Sequence, residues 1–497
     1  MSIALSSRKP NRLLDSTAIA LVFGISSAWA SPALAGPGAC TLAGSMATCS
    51  GDQSAGIVSG TDFPANFTIL NVNGLTGDIA PALDTNGIIF VGTSSVEINS
   101  DLGGNAIILN GLAEGVIGAS VTGVTINHSG DMTGGFRGIN ADSSGGNVII
   151  DAQGGIADTA EAAINAHAPG GTITIGYVGG ITGAANRGIG AYGDGDIAIT
   201  QSGAITAGNH AIYARSVSGS VTVDRAIAVL ADQQATIDST GDITSTDSDG
   251  LHALSRNGSA SITSVGTVQA DNQGLFAMGR TGATIDSVGN VTANRNDAIF
   301  AFASSGGEAS VVSVGDVSAG NRGVLALVNF GNSGNASIES TGNVMASGDA
   351  VLAQSFDGTA EVRQIGDVTS AVVNGIRVYS GGASGGSTLF SRGSVTAQNN
   401  AIDVAVLGSG DISVDHVGDI VSHADSGVRT YVQNAGDTSI MVTGDIEAQS
   451  HGIFATTNGS GAMDVTMRGD VSSSNGHGIS AYTANGNVTI DAMGCQT

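Results

Sequence analysis

The chain has 497 residues, of which 12% are charged and 4% aromatic, and its formal net charge at neutral pH is −26. So acidic a surface excludes broad contact with nucleic acid, because phosphates must be met by a basic face. Apolar residues make up 41% of the chain. Glycine and proline together stay below the share that marks unpatterned disorder.

Residues 1–35 read as an export signal. Arg8, Lys9 and Arg12 form a basic start, Ala18 to Ile25 is a short apolar run, and two small-x-small sites end at Ala30 and Ala35. The basic flank favours an export address over a buried apolar strand, and the run is too short to span a membrane. Cleavage is expected after Ala30 or Ala35. Losing Arg8, Lys9, Arg12 and Asp15 moves the net charge from −26 to −28 and takes away Lys9, the chain's lysine. A lipid anchor on Cys40 fits less well, because Pro37 stands where an aliphatic residue is expected.

Residues 36–76 lack the pattern that follows and are expected to cap the first coil, shielding its unpaired backbone groups. Cys40 and Cys49 bracket a short loop in this segment. In an exported protein two such cysteines are expected to pair as a disulfide; two free thiols are the alternative. Cys495 is left over.

From 77 to 497 the sequence repeats. Between Gly444 and Gly469 three short apolar alternations, at Ile446, Ile453 and Val465, are separated by Gly/Ser/Asn turns, and the pattern then starts again. The first anchor is a glycine followed two residues later by an apolar residue, as at Ile79, Met132, Ile181, Ile205 and Ile243 and on to Val471. From Ile243 onward its spacing stays between 23 and 27 residues. The second anchor is a small residue before an apolar one (Gly274-Leu275, Ala298-Ile299, Ala401-Ile402, Gly478-Ile479). The third is an apolar pair two apart (Val148/Ile150, Ile197/Ile199, Ile412/Val414). Runs with period 2 between turn residues are strands, and a repeat of 20–50 residues means stacked supersecondary units.

Three strands in about 25 residues, with no helical stretch between them, predict an all-β fold, a right-handed parallel β-helix; a propeller blade needs about 40–50 residues. At about 4.8 Å per coil, 77–494 makes roughly 17 coils and about 80 Å of rod. The region near 206–240 is irregular. Val221/Val223 and Ala235/Ile237 are only 14 residues apart, too close for a full coil.

Residues with candidate chemistry also serve the repeat. Gly476-His477-Gly478 matches a polygalacturonase tripeptide, but Gly478 is also the second anchor of its coil, and no Asp-Asp pair accompanies it. Arg468-Gly469-Asp470 spells an integrin-type motif whose Gly and Asp are the ordinary first anchor. The eight histidines fall at different coil positions, with no second ligand at metal spacing. Catalytic, cofactor-binding and metal residues are therefore expected to be none. The weak metal candidates are Asp419, Asp445 and Asp470, which the stacking places one rung apart. Like charges 4–5 Å apart in water repel by roughly 1 kcal/mol. Turn hydrogen bonds or a cation must offset that, and bonds to the turn's own backbone are the expected answer because Asn shares the slot at Asn290 and Asn343.

The Cys40–Cys49 loop runs into Ser50-Gly51-Asp52-Gln53-Ser54-Ala55-Gly56-Ile57, and a long Gly/Asp/Ser-rich β-helix follows. In this the chain resembles the passenger region of bacterial type V autotransporters, particularly alphaproteobacterial ones. The resemblance is one of composition and period, and it covers the whole chain. It implies export to the periplasm and display at the cell surface, with an outer-membrane translocation barrel as partner and host or environmental surface ligands as further partners. The chain departs from the family in residues 400–497, where Tyr431, Phe454 and Tyr482 are the aromatics and the repeat continues to Ile490, leaving no place for barrel strands and their aromatic girdles. The expectation is a passenger truncated at its C-terminus, acting as a structural rod or adhesin and not as an enzyme. The alternatives are a β-helical polysaccharide-degrading enzyme and a secreted rod exported by a separate partner barrel.

Overall fold

The structure is a computed structural model that describes residues 40–203, 205–207, 210–224, 228–240, 242–245, 249–329 and 333–494. The expected export segment and Cys495 lie outside the described residues. All regular structure among the described residues is β, and the strands stack in parallel as a solenoid of about 17 turns with roughly 25 residues per turn.

Each regular coil contributes one strand to each of three faces, named here after the three anchors. In one coil the first face is Val268–Ala270, the second Leu275–Gly279 and the third Gly282–Val288. Each pairs with its own copy in the next coil: Val268 with Val291, Leu275 with Ile299, Ile285 with Val311. The registers hold because side chains alternate across a strand, so a one-residue slip would turn the apolar set outward. The second face is an open ladder from Ile57–Val58 to Ile479–Thr483.

Stacking places like on like inside the rod. The first face carries a column of Val268, Val291, Val317, Val344, Val368 and Val395, all 2% exposed or less. The second carries Leu275, Ile299, Val324, Val351, Ile376 and Ile402, fully buried. Burying one such side chain contributes about 1.5–3 kcal/mol, and each coil depends on its neighbours to do so.

The corner between the third and first faces explains the first-anchor glycine. From Gly266 to Gly469 these glycines have φ between +123° and +142°, a region closed to residues with a Cβ. A Cβ on Gly366 would also run into the carbonyl of Gly342, the same corner one coil earlier.

Two parts depart from expectation. Stacking does not begin at 77. Met46–Gly51 already pairs with Ile69–Leu75, and Ile69–Leu75 with Val96–Ile108. The cap reduces to Thr41–Ala43, folded antiparallel on Met46–Gly51 and tied by the Cys40–Cys49 disulfide. These first coils escape the repeat because their turns are longer and place Phe63 and Phe67 in an aromatic cluster with Phe90 of the strand Ile88–Gly92. In addition, Val96–Ile108 bulges between Asp101 and Ala106. The irregular coil lies where expected. Val221–Asp224 on the third face is followed by Ala228–Ala231 on the second, and no described first-face strand lies between Ile205–Ala207 and Ile243–Ser245. Ile205 and Ile243 on either side are only partly buried, unlike Val268 and its successors.

Candidate functional site

A groove lies outside the third face of the first coils. It holds about 460 Å³ and is lined by Asn71, Asn99, Asn127, Asp101, Asp151 and Gln153, among others. Strand alternation turns Asn71, Asn99 and Asn127 outward, and the register puts them in one column. Asn99 Nδ2 donates to Asn71 Oδ1 at 3.1 Å, and Asn127 Nδ2 to Asn99 Oδ1 at 2.7 Å. Gln153 Nε2 donates to Ser129 Oγ at 3.0 Å. The bulge at 102–105, with Gly103 and Gly104 at positive φ, stands beside the groove, and a second depression of about 410 Å³ adjoins it.

The polar groups of this surface are amides, hydroxyls, carboxylates and the His128 ring, set beside Val72, Ala152 and Val178, with no Arg, Lys or Cys in its lining. It can exchange hydrogen bonds with an uncharged polar ligand and repels anions. Asp101 and Asp151 share it. The ladder sets their backbones two rungs and two residues apart, about 12 Å.

The stacked Asp419, Asp445 and Asp470 are where the sequence put them, but their hydrogen bonds differ from the expectation. Asp419 Oδ1 accepts the Asp445 N–H at 3.0 Å, and Asp445 Oδ1 accepts the Asp470 N–H at 2.9 Å. The carboxylates bind the backbone of the next coil, not of their own turn. Asn290 and Asn343 do the same toward Asp316 and Asp367. An amide oxygen serves as well as a carboxylate, which explains the shared slot. No group of three or more metal-ligating side chains is found among the described residues.

Arg468 of the Arg-Gly-Asp triplet is paired with Asp491 of the next coil at 2.6 Å, and this pairing lowers the carboxyl pKa of Asp491. Gly469 is a corner glycine. The His477 N–H donates to His451 Nδ1 at 3.0 Å, and the two rings stack 5.6 Å apart, with Phe454 against His451.

The histidines are less scattered than the sequence suggested. His451 and His477 share one corner. His128 and His416 share another column, the last inward position of the third face. Nδ1 of each ring is bonded to a serine hydroxyl one coil earlier (Ser100, Ser391), and Nε2 to its own corner carbonyl (Gly130, Gly418). Carbonyls only accept, so Nε2 carries the proton and Nδ1 takes the hydroxyl's. Burial drives the pKa of both down to about 4. Tyr177, Gln201 and Gln364 stand in the same column and reach the same corner: the Tyr177 hydroxyl donates to Gly154 O, Gln201 Nε2 to Gly203 O and Gln364 Nε2 to Gly342 O. Coil lengths that vary by a few residues hide this column in the sequence.

Outside the second face, Phe276, Phe300 and Phe302 form a cluster. Arg322 stacks over Phe300 and bonds Asp297 twice, at 3.0 and 2.7 Å. Further along, Arg377 and Arg429 stand 3.6 Å on either side of Asp403. Burial raises the pKa of Asp403 while the two arginines oppose the shift.

Comparisons with protein families, with characterised proteins and with solved structures find no match for this chain.

Proposed function

We propose that the chain is an exported, surface-displayed β-helical passenger of the autotransporter type, acting as a structural rod with adhesive capacity and translocated by an outer-membrane barrel. The observation that carries this reading is the continuous parallel pairing of the second and third faces from coil to coil, across even the shortened coil. A stack of this kind is stiff along its axis, because displacing any coil would break ladders on several faces at once.

The amide-lined groove gives the rod a side suited to uncharged, hydroxyl-rich surfaces.

The test is display of the full chain fused to a heterologous barrel. Protease added to intact cells should remove it, and the cells should adhere to glycan-coated surfaces. Asn71→Ala/Asn127→Ala should weaken adhesion several-fold while the fold persists. Adhesion that is absent, or indifferent to these changes, overturns the adhesive part. Release of reducing sugar ends from the coating would favour the hydrolase reading. Scattering from the purified chain should give a rod about 80 Å long.

A further inference from the structure

The inward column that holds His128 and His416 changes character in the middle of the rod. Register places Ser239, Ser264, Ser287, Ser313 and Ser340 in five consecutive coils, followed directly by Gln364. All five serines are 3% exposed or less. None of their hydroxyls has a protein hydrogen-bond partner, although Ser100 and Ser391, elsewhere in the same column, are bonded to histidine. Gln364 is fully buried; its Nε2 is used on Gly342, and its Oε1 has no protein partner. Five consecutive buried hydroxyls ending on a buried amide oxygen are too many orphans for a native interior, where such groups find a partner in protein or in ordered water.

We propose that this column binds a single file of water, one molecule per coil from Ser239 to Ser340, ending on the Gln364 Oε1. The geometry suits water. Hydroxyls on adjacent rungs are about 4.8 Å apart, too far to bond each other, while a molecule between two rungs reaches both. Gln364, Tyr177 and His416 show that this corner accommodates a much longer side chain than serine. The difference is on the order of one to two water volumes, at about 30 Å³ each. Two serine hydroxyls and a corner carbonyl, such as that of Gly289 or Gly315, supply the two to four polar partners a buried water needs. No charged side chain stands in the column between Ser239 and Ser340, so a neutral ligand fits better than an ion.

Diffraction from crystals of the full chain at about 1.8 Å resolution should show one ordered oxygen per rung within about 3 Å of each hydroxyl. A dry column, hydroxyls bonded to protein, or peaks that follow the salt in the crystal would overturn the proposal. Thermal unfolding gives an independent sign. Ser264→Ala, Ser287→Ala and Ser313→Ala each remove an anchor of the file, so each melting temperature should fall by a few degrees. If the column is dry, each change relieves an orphaned hydroxyl, and the melting temperature should hold or rise. Ser313→Gln should fold and displace one water, its amide taking the corner carbonyl as Gln364 does. Failure of Ser313→Gln to fold while Ser313→Ala folds would show that the space is absent and sink the proposal.

Discussion

At the scale of single residues, one corner shows how much of the rod rests on two adjacent positions. Gly366 has φ +126° and faces the Gly342 carbonyl, and Asp367 follows it and holds the Ser394 N–H at 2.8 Å. Gly366→Ala should therefore destabilise the chain by about 3 kcal/mol, combining a disfavoured backbone with overpacking. Asp367→Asn keeps the acceptor and should be nearly silent, whereas Asp367→Leu should lose about 1–2 kcal/mol. Denaturant unfolding of the three variants checks the order. The buried histidines make a second prediction, of opposite kind to a salt bridge. Burial lowers the pKa of His128 and His416 from 6.5 to about 4. The unfolded chain therefore binds protons between pH 6.5 and 4 that the folded chain refuses. Stability is full above that window and falls as pH drops through it, by about 3 kcal/mol for each histidine. The double variant His128→Gln/His416→Gln should flatten this part of the melting-temperature profile, because glutamine at 201 and 364 already meets the same corner carbonyls. An unchanged slope would locate the acid sensitivity elsewhere.

At the scale of elements, the N-terminal hairpin is the least supported piece of the stack. Thr41–Ala43 pairs only with Met46–Gly51 and is exposed throughout, so the Cys40–Cys49 disulfide carries much of its order. Closing so short a loop is worth about 3 kcal/mol in the chain-entropy account. Cys40→Ser/Cys49→Ser should speed hydrogen exchange in 41–51 and 69–75 and leave the coils beyond Val268 unchanged; uniform loss of protection would contradict an end-local role. The sequence displayed the regular coils clearly, because a corner that only glycine fits leaves Gly266, Gly289, Gly315 and their successors at a visible period. It also located the shortened coil, since 14 residues cannot turn three corners. It hid the coils before 77, where Phe63 and Phe67 sit in long turns and the Asp101–Ala106 bulge breaks the count. It hid the amide ladder of Asn71, Asn99 and Asn127 for the same reason: outward positions 28 residues apart do not advertise a common column. The Asp419–Asp445–Asp470 stack was legible as a stack, but the partner of each carboxylate was not, because the accepting geometry spans two coils.

At the scale of the whole molecule, the rod behaves as a one-dimensional array, in which each coil touches its neighbours and little else. Length should then be separable from fold. Removing Asp419–Gly444, one full coil, joins Gly418 to Asp445 and presents the Val395 and Ile446 rungs to each other. On the third face, Ile412–Val417 likewise comes to face Met463–Arg468. Every apolar column keeps its alternation, since Ile420, Val428 and Ile440 leave together and residues of like kind close the gap. This variant should fold, shorten the rod by about 4.8 Å, and lose stability only by one coil's share. Removing Asp419–Asn434 instead carries the chain from the first corner directly into the third face, deleting the inward residues of two faces and leaving Val395 and Ile402 without partners above. That variant should expose apolar surface, aggregate, and lose cooperative unfolding. Scattering together with circular dichroism decides the matter. If the whole-coil deletion proved as damaging as the partial one, distant coils would have to be coupled through more than their ladders, and the stiffness assigned to the rod would need another source.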